Sequence, residues 1–148
     1  MNITQVSPIS ENNIARSIKY CERKKPLVLI AQNDEKDCVT LKESLELHDL
    51  EVLKVETGES AVNYAVNHQP DLIIMDNYLS GQSCLEAMRL IRSINSLSIV
   101  PILFLSDNSE ENQSEKAVLA GCDDYLVRPI DSDKLGKLLG KFLFLKGI

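Results

Sequence analysis

Asp76 closes the segment Asp71-Leu72-Ile73-Ile74-Met75-Asp76, in which a short apolar run from Leu72 to Met75 is bounded by polar residues. Such a run suits a strand buried on both faces, which sets Asp76 at its carboxyl end. In an open parallel sheet that edge collects ligands and chemistry, so a carboxylate there is a candidate covalent nucleophile or metal ligand. An aspartate where a strand meets a loop serves equally as a turn residue. Other chemistries have little support in the chain. His48 and His68 each fall between a helical stretch and a turn, and Cys21, Cys38, Cys84 and Cys122 lack CxxC spacing or a histidine cluster, so free thiols are expected and zinc is not.

The elements that would position Asp76 follow from the pattern around it. Pro26 to Ala31 predicts a first strand, Glu51 to Glu56 a second, the Asp76 segment a third, Ile99 to Leu105 a fourth and Tyr125 to Val127 a fifth. Between them lie helices over Glu35 to Leu47, with Asp34 as N-cap, and around Ala61 to Val66 after a Thr57-Gly58 turn. Ser83 and Glu86 form a capping-box pattern opening a third helix. A fourth starts near Asn108 and stops at Gly121, and a last one covers Ser132 to about Leu145, its Phe142 to Leu145 end packing on the core. Five strands alternating with five helices call for an α/β fold, with right-handed crossovers and a parallel sheet between helix layers. The ends of its strands carry Gln32 and Asn33, Asp76, Ser106 and Asp107, and Arg128-Pro129, which should converge on one crevice.

Composition sets the limits. A chain of 148 residues with 44% apolar content buries one good core, giving a single domain over 26–148 and a polar, partly basic extension over 1–25. The net charge of −6 argues against a nucleic-acid surface. That charge is uneven: Met1 to Pro26 is +3 and the remainder −9. With no long apolar run and no apolar core to a leader, a cytoplasmic protein without membrane contact is expected.

Over roughly Pro26 to Leu145 the chain resembles the receiver domain of two-component response regulators. The resemblance is carried by Asp76 in DLIIMD, Ser106 in PILFLSD and Tyr125 in AGCDDYLVRP, with intervals of 30 residues from Asp76 to Ser106 and 22 from Ser106 to Arg128. It implies a flavodoxin-like sheet of strand order 2-1-3-4-5. It implies Asp76 as phosphoacceptor, Ser106 as the hydroxyl contacting the phosphoryl group, Arg128 in place of the family's lysine, and Tyr125 as the aromatic switch. Mg2+ would be held by Asp76, Asn33 and the Tyr78 backbone carbonyl. The implied partners are a histidine kinase or phosphotransfer protein and a downstream protein, with a homodimer through the fourth helix, fifth strand and fifth helix.

The departures bear on the same pocket. The family's paired acids after the first strand fall on Gln32 and Asn33, its proline after the acceptor strand on Ser80, and its small residue after the hydroxyl on Asp107. Mg2+ prefers carboxylate and water, and Asp76 with Arg128 already balances, so weak metal binding, through the amide oxygens of Gln32 and Asn33, and a direct Asp76–Arg128 pair are expected. Asp107 would repel an incoming phosphoryl group unless it turns to solvent, as a capping residue does, or helps hold a metal. Three functions follow: a receiver phosphorylated on Asp76 that signals by protein contact, a phosphorylation-independent adaptor or dimerisation module, and a covalent phosphatase. The last needs a second acid two residues beyond the nucleophile, where this chain has Tyr78.

Overall fold

In the computed structural model, residues 25–33, 35–79, 83–106 and 113–143 are described. The expected extension over 1–25 lies outside them except for Lys25, as do Asp34, Ser80, Asp107, the Asn108 helix start, Phe144 and Leu145. The described chain runs β1 (Leu27–Ala31), α1 (Glu35–Glu46), β2 (Glu51–Val55), α2 (Gly58–His68), β3 (Leu72–Asp76), α3 (Cys84–Ser93), β4 (Ile102–Ser106), α4 (Gln113–Ala120), β5 (Asp124–Val127) and α5 (Ser132–Leu143), with a 3-10 turn at Asn95–Leu97. All neighbouring strands pair in parallel, in the order β2-β1-β3-β4-β5.

The three central strands are apolar almost throughout because both their faces are covered. Alternate residues divide between two cores, as the two-residue period of a strand requires. Leu29, Ala31, Ile73, Met75, Ile102 and Phe104 pack with Ala61 and Ala65 of α2, with Cys84, Ala87, Met88 and Ile91 of α3, and with Ala117 and Ala120 of α4. Val28, Ile30, Leu72, Ile74, Leu103, Leu105 and Leu126 pack with Leu41 and Leu45 of α1 and Leu135, Leu138 and Leu139 of α5. The buried residues of α3 recur at the i, i+3, i+4, i+7 spacing of one helical face. Phe142 and Leu143 lie against the second core, as a terminal amphipathic helix requires.

Helix ends follow their sequence signals. The Ser83 hydroxyl accepts from the Glu86 N–H at 3.1 Å, and that of Thr57 accepts from the Ser60 N–H at 3.0 Å, so Thr57-Gly58 is a helix start rather than a separate turn. Gly121, at φ +120°, ends α4. The expected start of the fourth strand at Ile99 is corrected to Ile102. Ser98 and Ile99 form a turn after the 3-10 segment, and Ile99 is 84% exposed. The sheet is joined only from Pro101, whose carbonyl accepts from the Ile73 N–H at 2.9 Å. An apolar run does not mark the point at which the backbone first meets its neighbour.

Candidate functional site

Strand parity decides which of the strand-end residues meet. Continuing the alternation past the last ladder residues, Gln32 follows Val28 and Ile30, Asp76 follows Leu72 and Ile74, and Arg128 follows Leu126. All three continue the series that faces α1 and α5. Ser106 follows Ile102 and Phe104, the series facing α2, α3 and α4. The register completes the placement. Asp76 pairs with Leu105, Ser106 with Val127, and the Arg128 N–H donates to the Ser106 carbonyl at 3.0 Å.

The carboxylate of Asp76 is buried, with 1% of the residue exposed. The Arg128 Nη2 donates to its Oδ2 in a direct ion pair. The Gln32 Nε2 donates to the same oxygen at 3.2 Å, and the Tyr78 backbone N–H donates to Oδ1 at 3.0 Å. Burying a carboxylate is costly unless it is paired and hydrogen-bonded, and here both conditions are met by side chains that follow β1 and β5. The two oxygens therefore differ. Oδ2 carries a cation and an amide, whereas the described bond to Oδ1 is a backbone N–H.

Ser106 is buried at the end of β4. Asn33 is exposed just beyond β1, and Asp107 lies outside the described residues. Tyr125 packs partly buried against the α2, α3 and α4 core, with the Lys134 ammonium 5.7 Å from its ring centroid. Two contacts went unforeseen. The Tyr78 N–H leaves no mark in a side-chain pattern. Gln32 was expected to offer Asp76's pocket a ligating amide oxygen, but it turns its amide nitrogen there instead, because an ionised carboxylate only accepts. Beneath the site Cys84, at the start of α3, is buried, and its thiol is pushed up to about 12, by burial first and then by the Asp76 carboxylate and Cys122.

The donor set can be tested against Mg2+, which the chain's resemblance implies. Mg2+ takes an octahedron of hard oxygens, chiefly carboxylate and water. Asp76 already shares Oδ2 between a guanidinium and an amide, and Gln32 and Asn33 bring no charge. No group of three His, Cys, Asp or Glu among the described residues could hold a metal ion. The described donors do not fit Mg2+.

Comparison with known proteins shows the family to which this fold belongs. Residues 28–139 match the family of response regulator receiver domains. The chain is 30% identical over 110 residues to the phosphate regulon transcriptional regulatory protein PhoB of Rhizobium meliloti, covering 74% of this chain and 48% of that relative. It thus spans about half the length of that regulator. It is 28% identical over 116 residues to protein PilH of Pseudomonas aeruginosa, covering 78% of this chain and 96% of PilH. Among solved structures, the receiver domain of sensor histidine kinase PA1611 from P. aeruginosa, with a magnesium ion coordinated in its active-site cleft, superposes with a TM-score of 0.77. Its sequence is 26% identical, and the overlap covers 82% of this chain and 99% of that one. The Saccharomyces cerevisiae Ssk1 receiver domain, crystallised with the histidine phosphotransfer protein Ypd1, gives 0.74 at 26% identity, covering 84% and 92%.

Proposed function

The chain belongs to the response regulator receiver domain family, and from that premise we propose that it is a receiver of a two-component phosphorelay that accepts a phosphoryl group on Asp76 and signals by protein contact. The observation that carries this reading is the environment of Asp76: a buried carboxylate at the end of β3, held through Oδ2 by Arg128 and Gln32. Oδ1 is the nucleophile. As its bond to phosphorus forms, the P–N bond of a phosphohistidine donor breaks, and the electron pair stays on the leaving imidazole nitrogen. The product is an aspartyl phosphate. Arg128, permanently charged, stays beside the growing negative charge, and Ser106 contacts a phosphoryl oxygen.

The donor is a histidine kinase or a phosphotransfer protein, the latter supported by the Ypd1 complex of the Ssk1 receiver. The signal leaves through Tyr125 and the α4–β5–α5 side, where Val118 and Leu119 of α4 are exposed apolar residues that suit a downstream protein or a second copy of the chain. The protein is a signalling module and not an enzyme. A second reading, a phosphorylation-independent adaptor, is favoured by the two donors already on Oδ2.

Intact mass after incubation with a small-molecule phosphodonor in Mg2+-containing buffer separates the two. The expected result is a gain of one phosphoryl group in the parent protein and none in Asp76→Ala. No gain in the folded parent protein would overturn the acceptor reading in favour of the adaptor.

A further inference from the structure

We propose that the Asp76 pocket takes no divalent ion and that Arg128 is the standing counter-charge in its place. The acceptor is thereby neutralised from within the chain. The inference rests on Asp76 being the acceptor for what it says of transfer, but not for what it says of metal.

A divalent ion is drawn to a site by surplus negative charge, and this pocket has none among its described side chains: one carboxylate, Asp76, meets one guanidinium, Arg128. Bringing Mg2+ to Asp76 Oδ2 would set a second cation beside Arg128 in a site with little water to screen the repulsion. Geometry adds to this. Gln32 is buried and presents N–H, not oxygen, to the carboxylate, so a metal at Oδ2 would have to turn that amide over and displace the guanidinium. Both losses fall on a buried carboxylate whose one other bond among the described residues is from the Tyr78 N–H. An arginine stays charged at every accessible pH, whereas a bound ion comes and goes with its free concentration. A receiver neutralised in this way is insensitive to Mg2+.

In this setting Arg128 is a positioning residue: it fixes Oδ2, so that Oδ1 is the oxygen turned to a donor. Gln32 shares that task. The two also explain each other. An acid at position 32 would need a further cation, and amides in place of acids leave the described side chains of a metal-free pocket neutral with one arginine.

The test is calorimetric titration of Mg2+ alone into the unmodified protein, repeated with Asp76→Asn and with the double variant Gln32→Glu/Asn33→Asp. The parent is expected to give no saturable heat across the millimolar range, and the double variant to gain a saturable isotherm, because two added carboxylates restore the surplus negative charge. Should the double variant fail to fold, Asn33→Asp alone carries that arm. A saturable isotherm in the parent that Asp76→Asn abolishes would overturn the proposal, and so would acid-bearing variants that fold but bind no Mg2+. Because the titration uses unphosphorylated protein, it reads the metal claim even if Asp76 accepts no phosphoryl group. A second readout separates positioning from mere structure. Labelling by a phosphodonor should fall at least about tenfold in Arg128→Met and return in Arg128→Lys, both in the presence of chelator.

Discussion

The buried carboxyl group of Asp76 is held by Arg128, Gln32 and the Tyr78 N–H. Removing the guanidinium leaves the carboxylate uncompensated, so Arg128→Met should lower stability by about 2–4 kcal/mol in urea denaturation, the partial exposure of Arg128 keeping the loss below that of a fully buried pair. Arg128→Lys, which keeps the charge, should lose about 1 kcal/mol or less. Cys84 provides a pH signature. Its thiol is held up to about 12 from an ordinary 9.0, mainly by burial, so above pH 9 the unfolded chain releases a proton that the folded chain retains. Stability then falls with rising pH from 9 towards 12, by about 1.4 kcal/mol per unit of pH from this group, and the fall is absent below 9. Melting temperatures of the parent and Cys84→Ala between pH 8 and 10.5 should converge as pH rises. Parallel curves would contradict the burial of the thiol. Gln32, Asp76, Ser106 and Arg128 stand out in the sequence because each follows an apolar run. The direction of the Gln32 amide was not legible there, since a carboxamide presents either end and the neighbouring carboxylate decides.

At the edge opposite Asp76 one side chain joins several elements. Arg92, in the last turn of α3, donates through Nε to the Gly121 carbonyl at 2.8 Å and through Nη2 to Asp123 Oδ2 at 2.7 Å, and its Nη1 reaches the Val100 carbonyl. Asp123 Oδ2 in turn accepts from the Ile102 N–H at 2.8 Å, tying the entries of β4 and β5 together. Gly121 is required there twice over: its φ is +120°, and a Cβ would sit 2.7 Å from the Arg92 Cγ. Gly121→Ala should therefore destabilise by about 1–3 kcal/mol, measured as a lower urea midpoint at unchanged slope. Gly136 behaves oppositely. In α5 a Cβ at that position meets, among the described residues, only His48, at 3.8 Å, so Gly136→Ala should stabilise by up to about 1 kcal/mol. Strand and helix identities followed from periodicity and caps. The start of β4 did not, because Ile99 and Val100 extend the apolar run while the backbone joins the sheet only at Pro101.

At the scale of the molecule, a parallel sheet with helices on both faces leaves its carboxyl edge open and there gathers Gln32, Asp76, Ser106 and the following Arg128. The order of strands and the crevice were legible from the alternation of elements together with the receiver resemblance. The division of that edge by strand parity emerges only from the register, which sets Asp76 and Arg128 on the α1 and α5 side and Ser106 on the other. The family's fold is kept, while the described pocket sets one carboxylate, Asp76, against one cation, Arg128, with amides where the family's acid pair falls. The most direct measurement is the initial rate at which Asp76 gains a phosphoryl group from a small-molecule donor, followed by intact mass as Mg2+ is varied from chelated to millimolar. A self-neutralised acceptor predicts an Asp76-dependent rate that changes by less than about twofold across the series. A rate that is nil in chelator and rises to saturation with Mg2+ would contradict it, and would place a metal where Arg128 now stands.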